Sequence, residues 1–502
     1  MNRKTKLMLN SASSLLYQLI TIVCGFILPR FLLTYYGSAV NGLVSSITQF
    51  LGFISLAECG VGAVVQSTLY KPLAENDITT VSKVVMSSER FFKRIAYILL
   101  AYIGVLMAVY PLLTMDSFDY LFTLVLLLVI SVSTFARYYI GMTYKILLDA
   151  DQLGFVQYII HTVALVFNTV FCILLMQWGA SIHIVKLTTS LIFVLQPVLL
   201  SVIAKKKYKI DRSIKLTEEP IKQKWNGLAQ HIAGVVLINT DTVVLTLFSS
   251  LENVSVYAVY NIVVNGIRQL ILSLTNGIRS MFGNMLAKNE TDELNRSFNR
   301  VEWFMHTLVI FVFSVTAFLI VPFVKVYTAN ITDADYIVPV FAYMITLAQA
   351  IYCLRLPYYV LVNAAGHYKE TQTSAIIEAV INVSVSVALV FPFGLTGVAI
   401  GTFAAMLYRT LYLVWYLKNN ILFRRISCFV KHLIADMCSA LLLLAFISAF
   451  PSLYRLSQLS YSAWVVLALK VTAASVITLI IVNGIFYSKE MKKLLFRKNA
   501  NK

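Results

Sequence analysis

Two arginines lie in register within a segment that is otherwise nearly apolar. The stretch NGIRQLILSLTNGIR, residues 265–279, contains the tetrapeptide NGIR twice, which places Arg268 and Arg279 eleven residues apart. Eleven residues make about three helical turns, so both guanidinium groups lie on one face of a helix, ~16 Å apart along its axis. Guanidinium groups bind phosphate oxygens through paired hydrogen bonds. The spacing therefore predicts a cationic face suited to a phosphate-bearing anion.

The composition indicates which solvent surrounds this face. Of the 502 residues, 59% are hydrophobic and only 13% are charged, whereas soluble domains carry about 25% charged residues. Long apolar runs without a period of two favour helices, which satisfy their own backbone groups in lipid. We therefore predict an all-α polytopic membrane protein. Fourteen candidate transmembrane helices lie at roughly 11–33, 41–69, 90–113, 118–144, 153–177, 180–204, 225–249, 253–287, 301–325, 335–363, 370–393, 395–417, 427–450 and 461–487.

Basic residues are concentrated in every second segment between the predicted helices. If the N-terminus lies inside, the inside segments hold nearly all loop lysines and arginines, and Arg455 is the clear exception outside. This matches the positive-inside rule, predicts that both termini are cytoplasmic and accounts for most of the net charge of +18. Orientation and contact with anionic membrane lipids explain the basic loop 205–224 better than nucleic-acid binding does. We expect no nucleic-acid partner.

An internal repeat divides the chain. LAEND at 73–77 resembles LAKNE at 286–290, 213 residues later. At the same offset, Glu89 corresponds to Glu302 in the sequence. Six helices, a basic linker and six more helices in the same orientation are typical of transporters built from parallel repeats. The predicted parts are an N-lobe at 1–204, a cytoplasmic linker at 205–224, a C-lobe at 225–418, and accessory helices 13 and 14 with a basic tail at 419–502.

Sequence signatures of enzymes are missing. The chain contains no G-x-x-x-x-G-K-[ST] loop, no H-E-x-x-H motif and no convincing Ser/His/Asp grouping, and its six histidines are scattered. Its six cysteines show no C-x-x-C spacing, which argues against metal ligands and disulfides. No predicted outside loop exceeds about a dozen residues, which disfavours a membrane glycosyltransferase or polymerase. We expect a transporter without a bound metal, rather than an enzyme.

Charged residues inside the apolar runs are the candidate site residues, because a charge at membrane depth costs at least ~2.5–3.5 kcal/mol unless it faces a cavity or a partner. Arg268 lies about 15 residues into its helix, too deep for easy contact with the interface. Arg30 and Lys186 could instead reach the outer interface, and Arg279 and Arg409 the inner one. Ion pairs with acidic residues are a further alternative. The candidate substrate-binding residues are Arg30, Arg137, Arg268, Arg279 and Arg355.

Two segments resemble a known family. The first, PRFLLTYYGSAVNGLVSSITQFLGFISLAECGVGAVVQSTLYKPLAEND, contains Arg30, Gly37, Glu58, Gly60, Gly62 and Leu73-Ala74, and the second, NTDTVVLTLFSSLENVSVYAVYN, contains Asp241. Both are similar to segments of polysaccharide-biosynthesis transporters, the O-antigen and oligosaccharide flippases of the MOP superfamily. The likeness is best in the first of these segments and looser over helices 1–12 as a whole.

The resemblance implies two six-helix lobes around a central cavity, with two accessory helices. It implies alternating access that moves an undecaprenyl-diphosphate-linked oligosaccharide from the inner to the outer leaflet of a bacterial cytoplasmic membrane, with the arginines holding the diphosphate. Glycosyltransferases and a polymerase of the same pathway are the expected partners. No cofactor is expected beyond a coupling ion, Na⁺ or H⁺, for which Glu58, Asp241 and Glu378 are the candidates. A multidrug antiporter of the related MATE type and a non-transporting scaffold in envelope or spore assembly remain alternatives.

Overall fold

The protein is all-α wherever its structure is described. The computed structural model describes residues 3–58, 60–214 and 228–488, and these residues contain no β-strand. Within that part of the chain, 11 helices are long and apolar enough to cross a membrane. The prediction of an all-α polytopic membrane protein is thus confirmed. Residues 215–224 of the predicted linker and residues 489–502 of the predicted tail lie outside the described residues.

The described residues before 249 form nine α-helices and one π-helical turn. The fourth predicted span is formed by two helices joined through the π-turn Arg137–Gly141. The helices are α1 (Arg3–Gly52), α2 (Ser55–Glu58), α3 (Val61–Glu75), α4 (Ile78–Leu113), α5 (Tyr120–Ala136), α6 (Met142–Ala150), α7 (Gly154–Gln177), α8 (Ile182–Lys207) and α9 (Leu228–Phe248).

Seven further helices complete the described chain. The tenth predicted span is again formed by two helices, which meet at Arg355. The helices are α10 (Leu251–Ala287), α11 (Thr291–Tyr327), α12 (Pro339–Leu354), α13 (Leu356–Ala364), α14 (Gln372–Asn420), α15 (Ser427–Ala449) and α16 (Tyr461–Phe486).

Two glycines break the longest helices. Gly37 interrupts α1 with φ 80° and ψ 176°, and Gly394 interrupts α14 with φ 54° and ψ −129°. Both conformations fall where only glycine avoids a clash of its Cβ atom. The membrane spans that contain these glycines are 51 and 49 residues long, enough to cross a bilayer twice. Counting each of them twice and adding α10 to the 11 spans gives the fourteen predicted helices.

The chain forms two compact units, Met1–Ser255 and Val256–Lys502. Helix α9 belongs to the first unit, where it packs on α1. The lobes at 1–204 and 225–418 are predicted from the sequence repeat, whereas the two units are defined by contacts within the structure. The division into lobes stays a prediction. Each unit has its own buried core, while large apolar side chains such as Leu19 and Ile485 remain exposed. Exposed apolar side chains of this kind are suited to contact with lipid.

The repeated segments at 73–77 and 286–290 each contain an asparagine in the same left-handed conformation. Asn76, which follows α3, has φ 54°, and Asn289, which follows α10, has φ 56°. Asparagine is one of the few residues that adopt this left-handed conformation readily. In both cases an acidic residue follows and begins the next long helix, Asp77 before α4 and Glu290 before α11. The short sequence repeat therefore marks one turn that occurs in both halves of the chain.

Candidate functional site

Arg268 lies on α10 among neutral partners. Its Nη1 atom donates a hydrogen bond of 3.4 Å to Oε1 of Gln349, and its guanidinium carbon lies 5.2 Å from the centre of the Tyr352 ring. Its Nε atom is buried and has no hydrogen-bond partner among the described residues. No described carboxylate lies within ion-pair distance of it. The guanidinium group of Arg268 therefore carries a positive charge and has an N–H donor without a partner among the described residues.

A buried ion pair lies beside Arg268. Arg355, at the junction of α12 and α13, binds Glu378 of α14, and its guanidinium carbon lies 4.4 Å from the centre of the Tyr352 ring. Tyr352 thus contacts both Arg268 and Arg355. The second oxygen of Glu378 lies 3.8 Å from Nε of Arg409. We call Arg268, Arg355, Arg409 and Glu378 the arginine cluster.

The arginine cluster carries an excess of positive charge. Arg355 and Arg409 share the carboxylate of Glu378, and Arg268 has no carboxylate partner among the described residues, so the formal charge of the cluster is +2. Arg409 is only 3% exposed and donates to the carbonyl oxygen of Thr371 at 2.8 Å and to the hydroxyl of Ser374. Polar groups at the start of α14 therefore hold Arg409 inside the second unit. Sequence analysis also missed Tyr352 and Gln349, since a single tyrosine or glutamine in an apolar run gives no recognisable signal.

Arg279 lies on the same uninterrupted helix as Arg268, as the eleven-residue spacing predicts. Its side chain is exposed, and its Nη2 atom donates a 2.6 Å hydrogen bond to the hydroxyl of Tyr368. A phenol hydroxyl leaves the guanidinium charge unbalanced. Arg279 can therefore approach an anion, whereas Arg355 must first exchange its carboxylate partner.

The remaining predicted site residues lie in the first unit and are not grouped together by any described contact. Arg30 of α1 is half-buried, and Asp241 of α9 is 3% exposed. Glu58, at the end of α2, accepts a hydrogen bond of 3.4 Å from the hydroxyl of Tyr138. Glu378, the third acidic candidate, is flanked by Arg355 and Arg409. No described contact distinguishes a coupling-ion site among the three.

Arg137 lines a polar cavity inside the first unit. The cavity has a volume of about 570 Å³ and is bounded by α1 and α5–α8. Arg137, Lys145 and Asp149 supply its charges, and Gln157 has a buried Oε1 atom that lacks a partner among the described residues. A space of this size lies within the range of small-ligand pockets. The structure thus places Arg137 in a cavity of the first unit and the arginine cluster in the second.

Lys186 lines a smaller cavity of about 200 Å³ in the first unit. Its side chain is 8% exposed, so it is enclosed by protein. The two cavities share Ser133, Thr134 and Phe193. They form a polar interior in which lysine and arginine outnumber carboxylates among the described lining residues.

The two halves of the chain also contain matching polar triads. Glu89 of α4 accepts hydrogen bonds from the hydroxyl of Tyr144 at 2.5 Å and from Arg212 at 2.9 Å. At equivalent places in the second unit, Glu302 of α11 binds the hydroxyl of Tyr358 and the guanidinium of Arg424. Glutamate, tyrosine and arginine follow in the same order and at nearly the same spacing in both halves, which extends the sequence repeat into side-chain geometry.

An aspartate at one end of the first unit collects three donors. Asp151, in the turn after α6, accepts hydrogen bonds from Lys6 at 2.9 Å, Lys207 at 2.6 Å and Tyr208 at 2.5 Å. Burial raises the pKa of this carboxyl, but the three hydrogen bonds together outweigh it and leave the pKa below its usual value. The contact ties the start of α1 and the end of α8 to one turn.

Comparisons with known proteins show the fold. No protein-family model and no curated protein sequence matches the chain. Among solved structures, lipid II flippase MurJ in an inward closed conformation aligns with a TM-score of 0.73 at 14% identity, covering 96% of this chain and 100% of that chain. An inward-facing MATE multidrug resistance transporter of the MOP superfamily aligns at 0.59 and 14% identity over 81% and 96%. The Vibrio cholerae MATE transporter VcmN aligns at 0.54 and 14% identity over 84% and 100%. The chain therefore has the fold shared by MurJ and the MATE transporters of the MOP superfamily.

Proposed function

We propose that this protein is a flippase, not an enzyme, that moves a lipid-linked oligosaccharide bearing a diphosphate from the inner to the outer leaflet of the bacterial cytoplasmic membrane. The observation that carries the proposal is the arginine cluster, which contains three guanidinium groups and a single carboxylate, that of Glu378. An anion with several phosphate oxygens matches a site with a charge of +2, because guanidinium groups bind such oxygens in pairs. The fold likeness to lipid II flippase MurJ agrees with a lipid-linked substrate.

Arg268 and Arg279 are the proposed first contacts for the diphosphate. Both have only neutral hydrogen-bond partners among the described residues. Binding of an anion to them does not require an ion pair to break, unlike binding to Arg355. Arg30 and Arg137 are further proposed substrate-binding residues. Cell-surface polysaccharide synthesis, with glycosyltransferases and a polymerase as partners, is the process that such a substrate would serve.

Alternating access driven by an ion gradient or the membrane potential is the proposed transport cycle. The basic residues predict that both termini face the cytoplasm, which is the side where the substrate would enter. Glu58 and Asp241 are the proposed binding groups for a coupling ion, Na⁺ or H⁺. Glu378, whose charge Arg355 and Arg409 compensate, is the third proposed group for that role.

Transport by the purified protein tests the proposal. The protein is reconstituted into liposomes with a fluorescent undecaprenyl-diphosphate disaccharide, and an impermeant reagent or enzyme measures exposure of the sugar on the opposite leaflet. We expect transfer that the Arg268→Ala variant loses while the exposed-site control Arg296→Ala retains it. Equal, slow transfer in all samples and in empty liposomes would contradict the proposal.

A MATE-type antiporter is the second candidate, favoured by the fold likeness to two MATE transporters. Such a protein would exchange an organic cation for H⁺ or Na⁺. The same liposomes, loaded with a fluorescent organic cation under a proton or sodium gradient, distinguish the two functions. Cation efflux without lipid transfer would establish the antiporter, and neither activity would favour a non-transporting scaffold. The positive charge of the arginine cluster opposes cation binding, so we expect no efflux.

A further inference from the structure

The Glu302 triad has neighbours that its counterpart at Glu89 lacks. Glu302 is fully buried, and Nε2 of His432 on α15 lies 3.4 Å from its second oxygen. Nδ1 of His432 contacts the hydroxyl of Tyr487, just beyond α16, at 2.6 Å. The position that corresponds to His306 in the first half of the repeat is Lys93, which lies over the ring of Tyr139. The extra groups come largely from α15 and from the residue just beyond α16, and α15 and α16 are the two predicted accessory helices.

A second histidine links this triad to another carboxylate. Nδ1 of His306 on α11 lies 2.6 Å from Oδ2 of Asp436 on α15, and the rings of His306 and His432 stack with centres 4.9 Å apart. Both histidines and Asp436 are buried. We call Glu302, His306, His432, Asp436 and Arg424 the histidine cluster.

One position in the histidine cluster can accept a proton. If Nδ1–H of His306 donates to Asp436, the lone pair on Nε2 remains, and this buried atom has no partner among the described residues. His432 has polar neighbours on both sides: its Nε2 atom lies 3.4 Å from Glu302 and its Nδ1 atom lies 2.6 Å from the hydroxyl of Tyr487. A neutral ring with its proton on Nε2 satisfies both contacts. Stacked rings do not readily carry two charges. The geometry thus provides room for one proton, at Nε2 of His306.

Charge counting favours occupation of that position. With both imidazoles neutral, two carboxylates face one guanidinium, so the histidine cluster has a net charge of −1. One proton makes it neutral, which lowers the cost of burying it. The only other described cation against it is the exposed Lys431, 4.6 Å from the centre of the Tyr487 ring. The titratable groups that contact the two imidazoles are Glu302 from α11, Asp436 from α15 and Tyr487 beyond α16. Behind them, Tyr358 from α13 and Arg424 from the loop after α14 bind Glu302, and Lys431 from α15 lies over the ring of Tyr487.

We propose that the histidine cluster is a proton-binding site that takes up one proton at Nε2 of His306 and so controls how tightly α15 is held against α11. The proton comes from solvent, and no other bond forms or breaks. In the deprotonated state Glu302 and Asp436 repel each other across the contact between the two helices. In the protonated state the imidazolium ion of His306 lies between them and compensates the excess charge. The proposal does not depend on what the protein transports.

A tryptophan beside the cluster reports on this event. Nε1 of Trp303 donates to Asn483 at 2.8 Å, and the Trp303 ring lies 6.2 Å from that of Tyr487. The fluorescence that Trp303 contributes is obtained by subtracting the spectrum of Trp303→Phe from that of the full chain in nanodiscs. Titration from pH 8 to pH 5 should give a single-proton transition in this difference. His306→Gln should remove the transition, whereas His183→Gln, a histidine of the first unit, should leave it unchanged.

Amide hydrogen exchange across residues 427–449 gives an independent readout. After correction for the intrinsic rates, α15 should exchange faster at pH 8 than at pH 6 in the unmodified protein, and this difference should disappear in His306→Gln. Asp436→Asn provides a second variant if His306→Gln does not fold, and it should also abolish the pH dependence. A transition that survives in both variants, or none in the unmodified protein, would overturn the proposal, and neither result would bear on lipid transport.

Discussion

Glu89 and Glu302 hold matching positions in the two halves of the chain, and each binds a tyrosine hydroxyl and an arginine from the same relative places. The tyrosine comes from the second half of a broken helix in both cases, α6 or α13, and the arginine follows the sixth helix of its repeat. The pairs differ in burial, because the Arg212 side chain is 57% exposed and that of Arg424 is 14% exposed. The same contact thus lies in two different environments.

This difference predicts unequal costs for the same substitution. Glu302→Gln leaves a largely buried Arg424 without a carboxylate, so we expect a loss of about 3–5 kcal/mol in the free energy of unfolding. Glu89→Gln releases Arg212 to solvent, so about 1 kcal/mol or less is expected. Thermal unfolding of both variants in one detergent measures the order. Similar losses would mean that the second site tolerates an unpaired guanidinium group.

Arg268 and Arg355 should separate transport from stability. Arg268→Ala leaves no described carboxylate unpaired, so transport should fall at least about tenfold while the unfolding midpoint changes little. Arg355→Ala removes the closer partner of Glu378 and should lower stability by roughly 3 kcal/mol. Leaflet transfer and thermal unfolding are measured on the same preparations. A stable Arg268→Ala variant with full transport would exclude Arg268 from the substrate site.

Arg279 offers a test of how phosphate is recognised. Its exposed guanidinium group binds only the hydroxyl of Tyr368 among the described residues. If its charge alone matters, Arg279→Lys should transport better than Arg279→Ala. Equal losses in the two variants would indicate that the paired hydrogen bonds of the guanidinium group are required. Full activity of both variants would make Arg279 an interfacial residue rather than a ligand.

The pKa of Asp151 predicts a dependence of stability on pH. Because hydrogen bonds from Lys6, Lys207 and Tyr208 lower this pKa in the folded state, ionised Asp151 stabilises the fold above its unfolded value, near 3.9. That contribution is lost as the pH falls through the lower, folded value. Asp151→Asn should therefore be less stable than the unmodified protein at pH 7, and the difference should shrink below about pH 4. Thermal midpoints between pH 7 and pH 3 measure it, with the exposed Asp116→Asn as control.

Gly394 should resist replacement because of its backbone rather than its surroundings. An added Cβ atom would meet nothing within 4 Å, but the φ of 54° is unfavourable for alanine in this region. We expect Gly394→Ala to cost about 1–3 kcal/mol. Gly104→Ala is the matched control, since Gly104 also has open space but lies inside the helix α4. Alanine there should be neutral or stabilise the helix by about 0.5–1 kcal/mol. Unfolding midpoints that change equally in both variants would argue against a strained turn at Gly394.

Much of the fold can be predicted from rules that depend only on residues close together in the sequence. Long apolar runs suffice to identify membrane helices, since each helix satisfies its own backbone hydrogen bonds wherever it packs. The segments at 73–77 and 286–290 identified a shared turn because a left-handed asparagine needs only its neighbours in sequence. The spacing of Arg268 and Arg279 likewise follows from the helical repeat alone. The breaks within helices could not be predicted in this way, because those at Arg137 and Arg355 fall inside apolar runs whose composition does not change.

The sequence by itself determined the membrane class, the helical repeat and which charges lie within apolar segments, because these depend on residues close together in the chain. Only the tertiary structure decided which charges meet. Arg355 and Arg409 both bind Glu378, Lys186 enters a cavity, and His306 pairs with the distant Asp436. A buried charge acquires its partner through the packing of helices that are distant in sequence. That packing decides whether an arginine is paired with a carboxylate or is available to bind an anion.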